Sequence, residues 1–195
     1  NSPGATSITV SGDANLGADV ETTGTQTYNG AVTLSTDVTL TTTDSDITFS
    51  STVDGDGTAR DLTIDMDNSG VGADGTVQFA NTVGANNSLD VIDITGNLNL
   101  DAAISNTTSL EVSGTSNLGA SVTTSSTQTY SDAVTLSTDV TLTTTDSNIT
   151  FSSTIDSDGT ARDLTLTLGS GSASITGIVG TTSLADIALN SSATF

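Results

Sequence analysis

The chain has 195 residues and carries 23 Asp and Glu against two Lys and Arg, with no His and no Cys, which gives a formal net charge of −21 at pH 7. A surface this acidic repels nucleic acid and anionic membranes and attracts cations or basic partners, and the absence of Cys excludes disulfides, thiolate metal sites and cysteine nucleophiles. No apolar run reaches the length of about 18 residues that a membrane-spanning helix requires, so we expect no membrane insertion.

The dominant residue types favour strands and turns over helices. Thr makes up about a fifth of the chain, a proportion typical of β-rich proteins, and almost all of the acid is Asp, with Glu only at Glu21 and Glu111. Asp favours turns, whereas Glu favours helices, and good helix formers in amphipathic register are hard to find. The composition therefore predicts an all-β protein.

The chain contains two copies of one repeat, offset by 102 residues. The segment from Ser7 to Ile64 returns from Ser109 to Leu166, and the block AVTLSTDVTLTTTDS is identical in both. Downstream the match is looser, with GTVQFANTVGANNSLDVIDI corresponding to GSASITGIVGTTSLADIAL. We therefore divide the chain into a first β-repeat, 1–102, and an incomplete second one, 103–195, which we expect to form one continuous solenoid.

Short triplets with apolar residues at alternate positions recur along each copy. In chain order they are Val32/Leu34, Val38/Leu40, Ile47/Phe49, Leu62/Ile64, Val77/Phe79, Leu89/Val91, Leu98/Leu100 and Leu110/Val112. A period of two predicts a strand with one buried and one solvated face. Gly, Asn, Asp, Ser and Thr separate the triplets and predict frequent turns.

Two architectures accommodate this spacing. The first is a parallel β-solenoid (β-helix), in which short strands of successive rungs stack into apolar ladders. The alternative is a tandem pair of immunoglobulin-like β-sandwiches, one per copy. The absence of Trp and triplets too short for sandwich strands favour the solenoid. A turn of roughly 20 to 27 residues, stacked at about 4.8 Å, predicts a rod about 35 to 45 Å long.

The segment AVTLSTDVTLTTTDSDITFSSTVDGDGTARDLTI, preceded by TGTQTYNG, resembles the repeats of large bacterial surface β-solenoid proteins, the filamentous haemagglutinin-like adhesins and extracellular fibre proteins. The resemblance extends over nearly the whole chain and rests on Thr, Asp and Gly patterning. It implies export and a structural or adhesive role without naming a ligand. Such proteins are normally many times longer, so the resemblance implies one segment of a giant protein or a small relative that assembles from subunits.

One acidic motif occurs in both copies and combines alternate Asp residues, a Gly and a further Asp five positions on. Its acidic residues are Asp54, Asp56 and Asp61 in the first copy and Asp156, Asp158 and Asp163 in the second. Oxygen ligands in this pattern are typical of the first half of a calcium loop, so the motif predicts a Ca²⁺ site. The distal Glu of an EF-hand is missing, and the alternative is a solvated acidic turn without metal.

Two further charged features accompany this motif. A second acidic loop, from Asp65 to Gly75, exists only in the first copy, and its glycines suit either a cation site or a plain flexible loop. Arg60 and Arg162 are the only cations and occupy equivalent places. We expect each to form a local charge pair in its acidic turn, and the alternative is a bidentate clamp onto a neighbouring rung or subunit.

The remaining polar residues do not assemble a catalytic group. Tyr28 and Tyr130, each within TQTY, are expected to close the side of a rung or lie at a corner, with Gln26 and Gln128 in ladders. Without His, Cys or Lys, a Ser has no ordinary base, and acid–base chemistry would depend on carboxylates alone. Sugar-cleaving sites also need cations and aromatic platforms, which are nearly absent here. We expect no enzymatic activity.

The sequence therefore predicts a structural protein at an extracellular or cell-surface location. The chain begins at Asn1 rather than Met, as expected after removal of a leader or for a segment of a longer protein, and both origins agree with export. A solenoid has open β edges, which pair with other chains. We expect a homopolymer that assembles end to end into a fibre or surface layer, joined through residues 1–6 and 191–195 with Phe195 as an anchor.

An alternative function is a stalk or binding segment of a giant surface adhesin, in which the repeat is a spacer. In that case, contacts with glycans or a cell surface replace self-assembly. Four N-x-S/T sequons are candidate surface glycosylation sites, at Asn86, Asn106, Asn148 and Asn190.

Overall fold

The computed structural model describes residues 5–66, 74–182 and 184–191. Within these residues the protein is all-β and contains no helix. Most strands have three or four residues, which is the length that the alternating triplets predict. The strands are β1 Ile8–Val10, β2 Ala14–Leu16, β3 Val20–Glu21, β4 Gln26–Tyr28, β5 Val32–Leu34, β6 Val38–Thr41, β7 Ile47–Phe49, β8 Val53–Gly55, β9 Leu62–Asp65, β10 Thr76–Phe79, β11 Leu89–Thr95, β12 Asn97–Leu100, β13 Ile104–Val112, β14 Ser116–Leu118, β15 Val122–Thr124, β16 Gln128–Tyr130, β17 Val134–Leu136, β18 Val140–Thr143, β19 Ile149–Phe151, β20 Ile155–Ser157, β21 Leu164–Gly169, β22 Ala173–Ile175 and β23 Ile187–Ser191.

The strands stack in parallel as a β-solenoid of about eight turns, which confirms the predicted solenoid and excludes the paired sandwiches. Each turn has three sides, so the rod has three faces. The first face consists of β1, β4, β7, β10, β12, β14, β17 and β20. The second consists of β2, β5, β8, Val83, the start of β13, β15, β18, β21 and β23. The third consists of β3, β6, β9, β11, the end of β13, β16, β19 and β22.

The core consists of apolar ladders that run along the rod inside the three faces. On the first face, Tyr28, Phe49 and Phe79 occupy successive turns, and their rings stack with centroids 5.2 Å apart. Tyr130 and Phe151 form the equivalent stack in the second copy, also at 5.2 Å. Because each inward side chain contacts the turns before and after it, burial depends on having a neighbour on both sides.

The length of a turn varies more widely than the sequence predicts. Ile8 pairs with Gln26, 18 residues on, whereas Ile47 pairs with Val77, 30 residues on. The ladders fix only the triplets, and a corner loop extends into solvent at a small entropic cost, so extra residues accumulate at corners. About eight turns at roughly 4.8 Å per turn give a rod about 40 Å long, within the predicted range.

The two sequence copies do not lie on the same faces of the rod. Gln26–Tyr28 forms β4 on the first face, but its repeat Gln128–Tyr130 forms β16 on the third. From β4 to β16 the chain passes fourteen sides of the triangle, which is four full turns and two further sides. Strand neighbours are nevertheless preserved, since Ile8 pairs with Gln26 as Leu110 pairs with Gln128. The three faces are therefore structurally interchangeable.

Candidate functional site

The first copy of the acidic motif lies at the corner between β8 and β9. Asp54 is only 7% exposed, and its carboxylate accepts hydrogen bonds from the backbone N–H groups of Asn86 and Asn87 at 2.9 and 3.2 Å, in the next turn. The Asn86 side-chain amide donates to its other oxygen at 2.9 Å. Asp61 accepts the N–H of Val91 at 3.1 Å. Both carboxylates thus tie one turn to the next.

The second copy occupies the corner between β20 and β21, one face away from the first. Asp156 accepts the Thr181 hydroxyl at 2.7 Å and the Thr182 N–H at 2.8 Å. These hydrogen bonds lower the pKa of Asp156, with the Thr181 hydroxyl as the larger cause and the Thr182 N–H next. Asp163 is exposed beside Arg162 in the same loop. The role of a turn-to-turn acceptor is therefore retained in the second copy.

The two arginines form local ion pairs, as expected. Arg60 is bidentate to Asp56, with Nε–Oδ1 and Nη2–Oδ2 distances of 3.2 and 2.9 Å, and Arg162 is bidentate to Asp158 at 3.3 and 3.0 Å. Each hydrogen-bonded arginine lowers the pKa of its Asp, assisted by a backbone N–H at Thr58 or Thr160. Both pairs stay within one loop, so among the described residues neither arginine acts as a clamp onto a neighbouring turn.

The geometry gives the acidic residues separate partners. Asp54 and Asp61 bind backbone of the next turn, while Asp56 binds Arg60. In the part of the chain that the structure describes, no group of three or more acidic side chains is placed to hold a metal ion. Calcium binding by these loops stays a prediction. The second acidic loop falls mostly on residues 67–73, which lie outside the described residues.

Short polar side chains at corners act as acceptors along the whole rod. Asp37 accepts the N–H of Asp61 at 3.2 Å, and the repeat-equivalent Asp139 accepts that of Asp163 at 3.0 Å. Asp146 accepts the N–H of Ser170 at 2.8 Å, which is the main reason that its pKa is lowered. Asp, unlike Glu, is short enough to reach a backbone N–H directly above its own corner. This explains why nearly all of the acid is Asp.

A buried polar cluster repeats in both copies. The Gln26 side-chain amide donates to the carbonyls of Val20 and Thr41 at 3.1 and 3.0 Å and accepts the Tyr28 hydroxyl at 2.9 Å. Gln128 makes the same contacts with its own neighbours, including Tyr130 at 3.2 Å. Burial raises the pKa of Tyr28 to about 12 and that of Tyr130 further. TQTY is therefore a feature of the core, and its Gln links two sides of the rod.

The last turn presents an uncovered apolar edge. Ile175, Ile178, Ile187 and Leu189 are 36, 65, 40 and 38% exposed, and they are the large apolar side chains that the described residues expose. Ile187 and Leu189 stack on Leu164 and Leu166 of β21, and no described strand covers their other side. Beside them, a concavity of about 340 Å³ is bounded by Val179, Gly180 and the segment from Leu184 to Ile187.

This edge was not among the residues that the sequence singled out. The predicted junction, residues 1–6 and 191–195 with Phe195 as an anchor, lies mostly outside the described residues. The signal that could have found the edge was the match of Ile187 and Leu189 to Ile92 and Ile94. The match alone does not reveal the edge, because only the structure shows that a described strand covers Ile92 and Ile94 and that none covers Ile187 and Leu189.

A second concave region is a shallow groove of about 300 Å³ at the corner beside β11, β13 and β15. Its lining is neutral and includes Ser88, Asn106, Thr107 and Thr124.

Within the described residues, no helix has the length and hydropathy needed to cross a membrane. Comparison with protein-family models, curated proteins and solved structures found no match.

Proposed function

We propose that this chain is a structural subunit of an extracellular fibre or cell-surface layer and that copies assemble end to end through their open β edges. The observation that carries the proposal is the apolar edge at β22 and β23. Three large apolar side chains, those of Ile175, Ile187 and Leu189, are exposed there, while their counterparts in the first copy are buried. Strand addition at such an edge would satisfy unpaired backbone groups and remove apolar surface from water together.

The charge distribution supports association at the ends over association along the sides. The corners carry Asp in almost every turn, so two acidic rods repel each other laterally. On β22 and β23, by contrast, all side chains are neutral. Added salt screens the general repulsion without weakening apolar contacts, so end-to-end association should strengthen with ionic strength.

The continuity of the rod supports a structural role. One apolar cluster runs through the rod from Leu16 to Leu168, and strand pairing passes without interruption from the first copy to the second. A load along the axis is therefore carried by three parallel stacks of backbone hydrogen bonds. The resemblance to the repeats of bacterial surface adhesins agrees with this role.

A spacer within a giant surface adhesin is the second candidate. The interchange of faces favours it, because a repeat that can continue on any face can be added without limit in one polypeptide. In that case, further turns of the same polypeptide would cover the edge. The two candidates share the rod and differ in whether separate copies associate.

The test is cryo-electron microscopy of the purified protein in low and high salt, with and without a calcium chelator. We expect unbranched filaments one rod wide at high salt. Loss of filaments on chelation would support Ca²⁺ as a bridge at the acidic loops. Isolated rods under all conditions would overturn the fibre and leave the spacer.

A matched pair of variants locates the contact. Ile187→Asp places a charge on the open edge and should abolish the filaments. Thr150→Asp places the same charge on the outward side of β19, in the body of the rod, and should leave them intact. Equal loss in both variants would indicate that net charge, and not the edge, controls assembly.

A further inference from the structure

We propose that β23 pairs with β1 of a second copy in one register, with Ile187 opposite Ile8, Ala188 opposite Thr9 and Leu189 opposite Val10. This inference rests on the proposed end-to-end assembly and specifies its junction. It follows from a junction of the same kind that the chain already contains. That internal junction is where the end of β13 covers β11.

The first step is the equivalence of β23 and β11. The match of residues 75–94 to 171–189 needs a single one-residue gap and aligns Ile187 and Leu189 with Ile92 and Ile94. The backbone supports this alignment, because Gly84 and its counterpart Gly180 have φ angles of 70° and 74°. They also donate to equivalent carbonyls, those of Val53 and Ile155.

The second step is the strand that covers β11. Ile92 pairs with Leu110, Asp93 with Glu111 and Ile94 with Val112. Under this cover Ile92 and Ile94 are fully buried, whereas their counterparts on β23 are 40 and 38% exposed. Within the described residues, the two strands therefore differ in that β11 is covered by Leu110–Val112 and β23 has no such cover.

The third step is that β1 is the repeat of that strand. Ile8–Val10 lies 102 residues before Leu110–Val112, with inward apolar residues at the same two positions. Both segments also pair on their far side with a Gln-Thr-Tyr strand, β1 with β4 and the end of β13 with β16. The edge of β1 that faces away from β4 therefore corresponds to the edge that covers β11.

The outward residues make the junction between copies more favourable than the internal one. Inside the chain, Asp93 lies opposite Glu111, and like charges across a ladder are destabilising. In the proposed junction, Ala188 lies opposite Thr9, and both are neutral. The internal pair is held together by chain connectivity, whereas a contact between separate molecules has no such support and benefits from the loss of both charges.

The register also fixes the spacing of copies along a filament. Counted along the sides of the triangle, β1 of the next copy lies nine turns and one side beyond β1 of the first. At roughly 4.8 Å per turn, this predicts an axial rise of about 45 Å per copy. Each copy is also turned by one side of the triangle relative to its neighbour, apart from the twist of the solenoid itself.

Disulfide trapping tests the register, since the chain has no native Cys. The full-length variant Thr9→Cys is mixed with Ala188→Cys under mild oxidation, and covalent dimers are followed over time. Residues in register on neighbouring strands lie about 4.8 Å apart, within the range of Cα distances that a disulfide accepts. The register control is Asn190→Cys, two residues further along the same strand, and the face control is Ser174→Cys on β22.

We expect the dimer of Thr9→Cys with Ala188→Cys to form about tenfold faster than either control dimer, because both controls lie beyond disulfide reach. Filaments that form normally but trap at Asn190→Cys, at Ser174→Cys or at no position would overturn the register and leave end-to-end assembly standing. Absence of both filaments and covalent dimers at every salt concentration would overturn the register and the proposed function together.

Discussion

The strands β11 and β23 are copies of one sequence element with opposite environments. Ile92 and Ile94 on β11 are fully buried, while Ile187 and Leu189 on β23 are more than one third exposed. Both strands rest on an apolar turn below, and within the described residues a further turn covers β11 but not β23. Burial of a residue in this rod is therefore determined by its neighbouring turns, not by its own segment.

The same contrast extends to other equivalent positions of the aligned segments 75–94 and 171–189. Phe79 is buried beneath Leu100, whereas its counterpart Ile175 is 36% exposed. A Cβ on Gly84 would collide with the carbonyl oxygen of Ser105 in the next turn, whereas one on Gly180 would meet nothing closer than 3.9 Å. The first copy thus displays the covered state of an edge that the second copy presents uncovered.

The largest expected effect on the free energy of unfolding comes from shortening a side chain to Ala at matched positions of β11 and β23. Ile94→Ala leaves a cavity between Ile64 and Val112 and should lower the free energy of unfolding by about 2 to 5 kcal/mol. Leu189→Ala should lower it by less than about 1 kcal/mol, because its side chain is already partly in water. Urea denaturation of the dilute monomer measures both. Equal losses would contradict the contrast between the strands.

The next effect concerns the buried amide that both copies share. Gln26→Leu and Gln128→Leu each remove an acceptor from a buried tyrosine hydroxyl and a donor from two carbonyls, so each should cost about 1 to 3 kcal/mol. The loss should be larger for Gln128, because its hydrogen bond to Val122 is buried whereas that of Gln26 to Val20 is only partly buried. Urea denaturation checks the order, with Thr27→Val on the outward side of β4 as a control. A loss at Gln128 no larger than that of the control would contradict it.

A smaller effect distinguishes the two tyrosines at alkaline pH. Because their folded pKa values lie above the unfolded value of about 10, the folded chain holds these protons longer. The resulting stability is fully present below pH 10 and is lost as pH rises toward about 12. The chain has two Tyr and no Trp, so absorbance at 295 nm follows them directly. We expect Tyr28 to ionise before Tyr130, with Tyr28→Phe and Tyr130→Phe assigning the steps.

Titration of either tyrosine near pH 10 in the folded protein would contradict its burial. The spectrum of the urea-unfolded chain supplies the reference for an unperturbed tyrosine.

The smallest effect is expected where the two copies have the same environment. Arg60→Ala and Arg162→Ala each remove an exposed ion pair within one loop, and solvent screens such pairs. Neither variant should shift the midpoint of urea denaturation measurably. The two variants should behave alike, although the two ion pairs lie at different corners of the rod. A loss confined to one variant would indicate a contact beyond its own loop.

The sequence predicts the fold class because alternation of apolar residues directly encodes which side of a strand is buried. Val32, Leu34 and Phe49, for example, all lie in the core as their triplets predict. The length of a turn is harder to predict from the sequence, because corner loops such as residues 56–61 add residues without changing a ladder. The sequence also does not reveal that the two copies lie on different faces. Aligning the copies gives their offset in residues, but not the number of sides of the rod that those residues form.

The candidate sites show the same limit. The acidic motif predicts a cluster of ligands, but Asp54 and Asp61 use their oxygens on the backbone of the next turn, a partner that lies about 30 residues away. The exposure of Ile187 and Leu189 depends on which described strands pair with β23, and no local pattern records those partners. Local alternation was therefore sufficient for the strands, while every contact between turns required the structure.

The most direct test of the account is amide hydrogen exchange at β11 and β23 over a range of protein concentrations. We predict that β11 is protected at all concentrations, and that β23 exchanges rapidly in dilute monomer and becomes protected as concentration rises. Exchange at β23 that does not change with concentration would contradict assembly through this edge. Full protection of β23 in the dilute monomer would show that the edge is already covered within one chain.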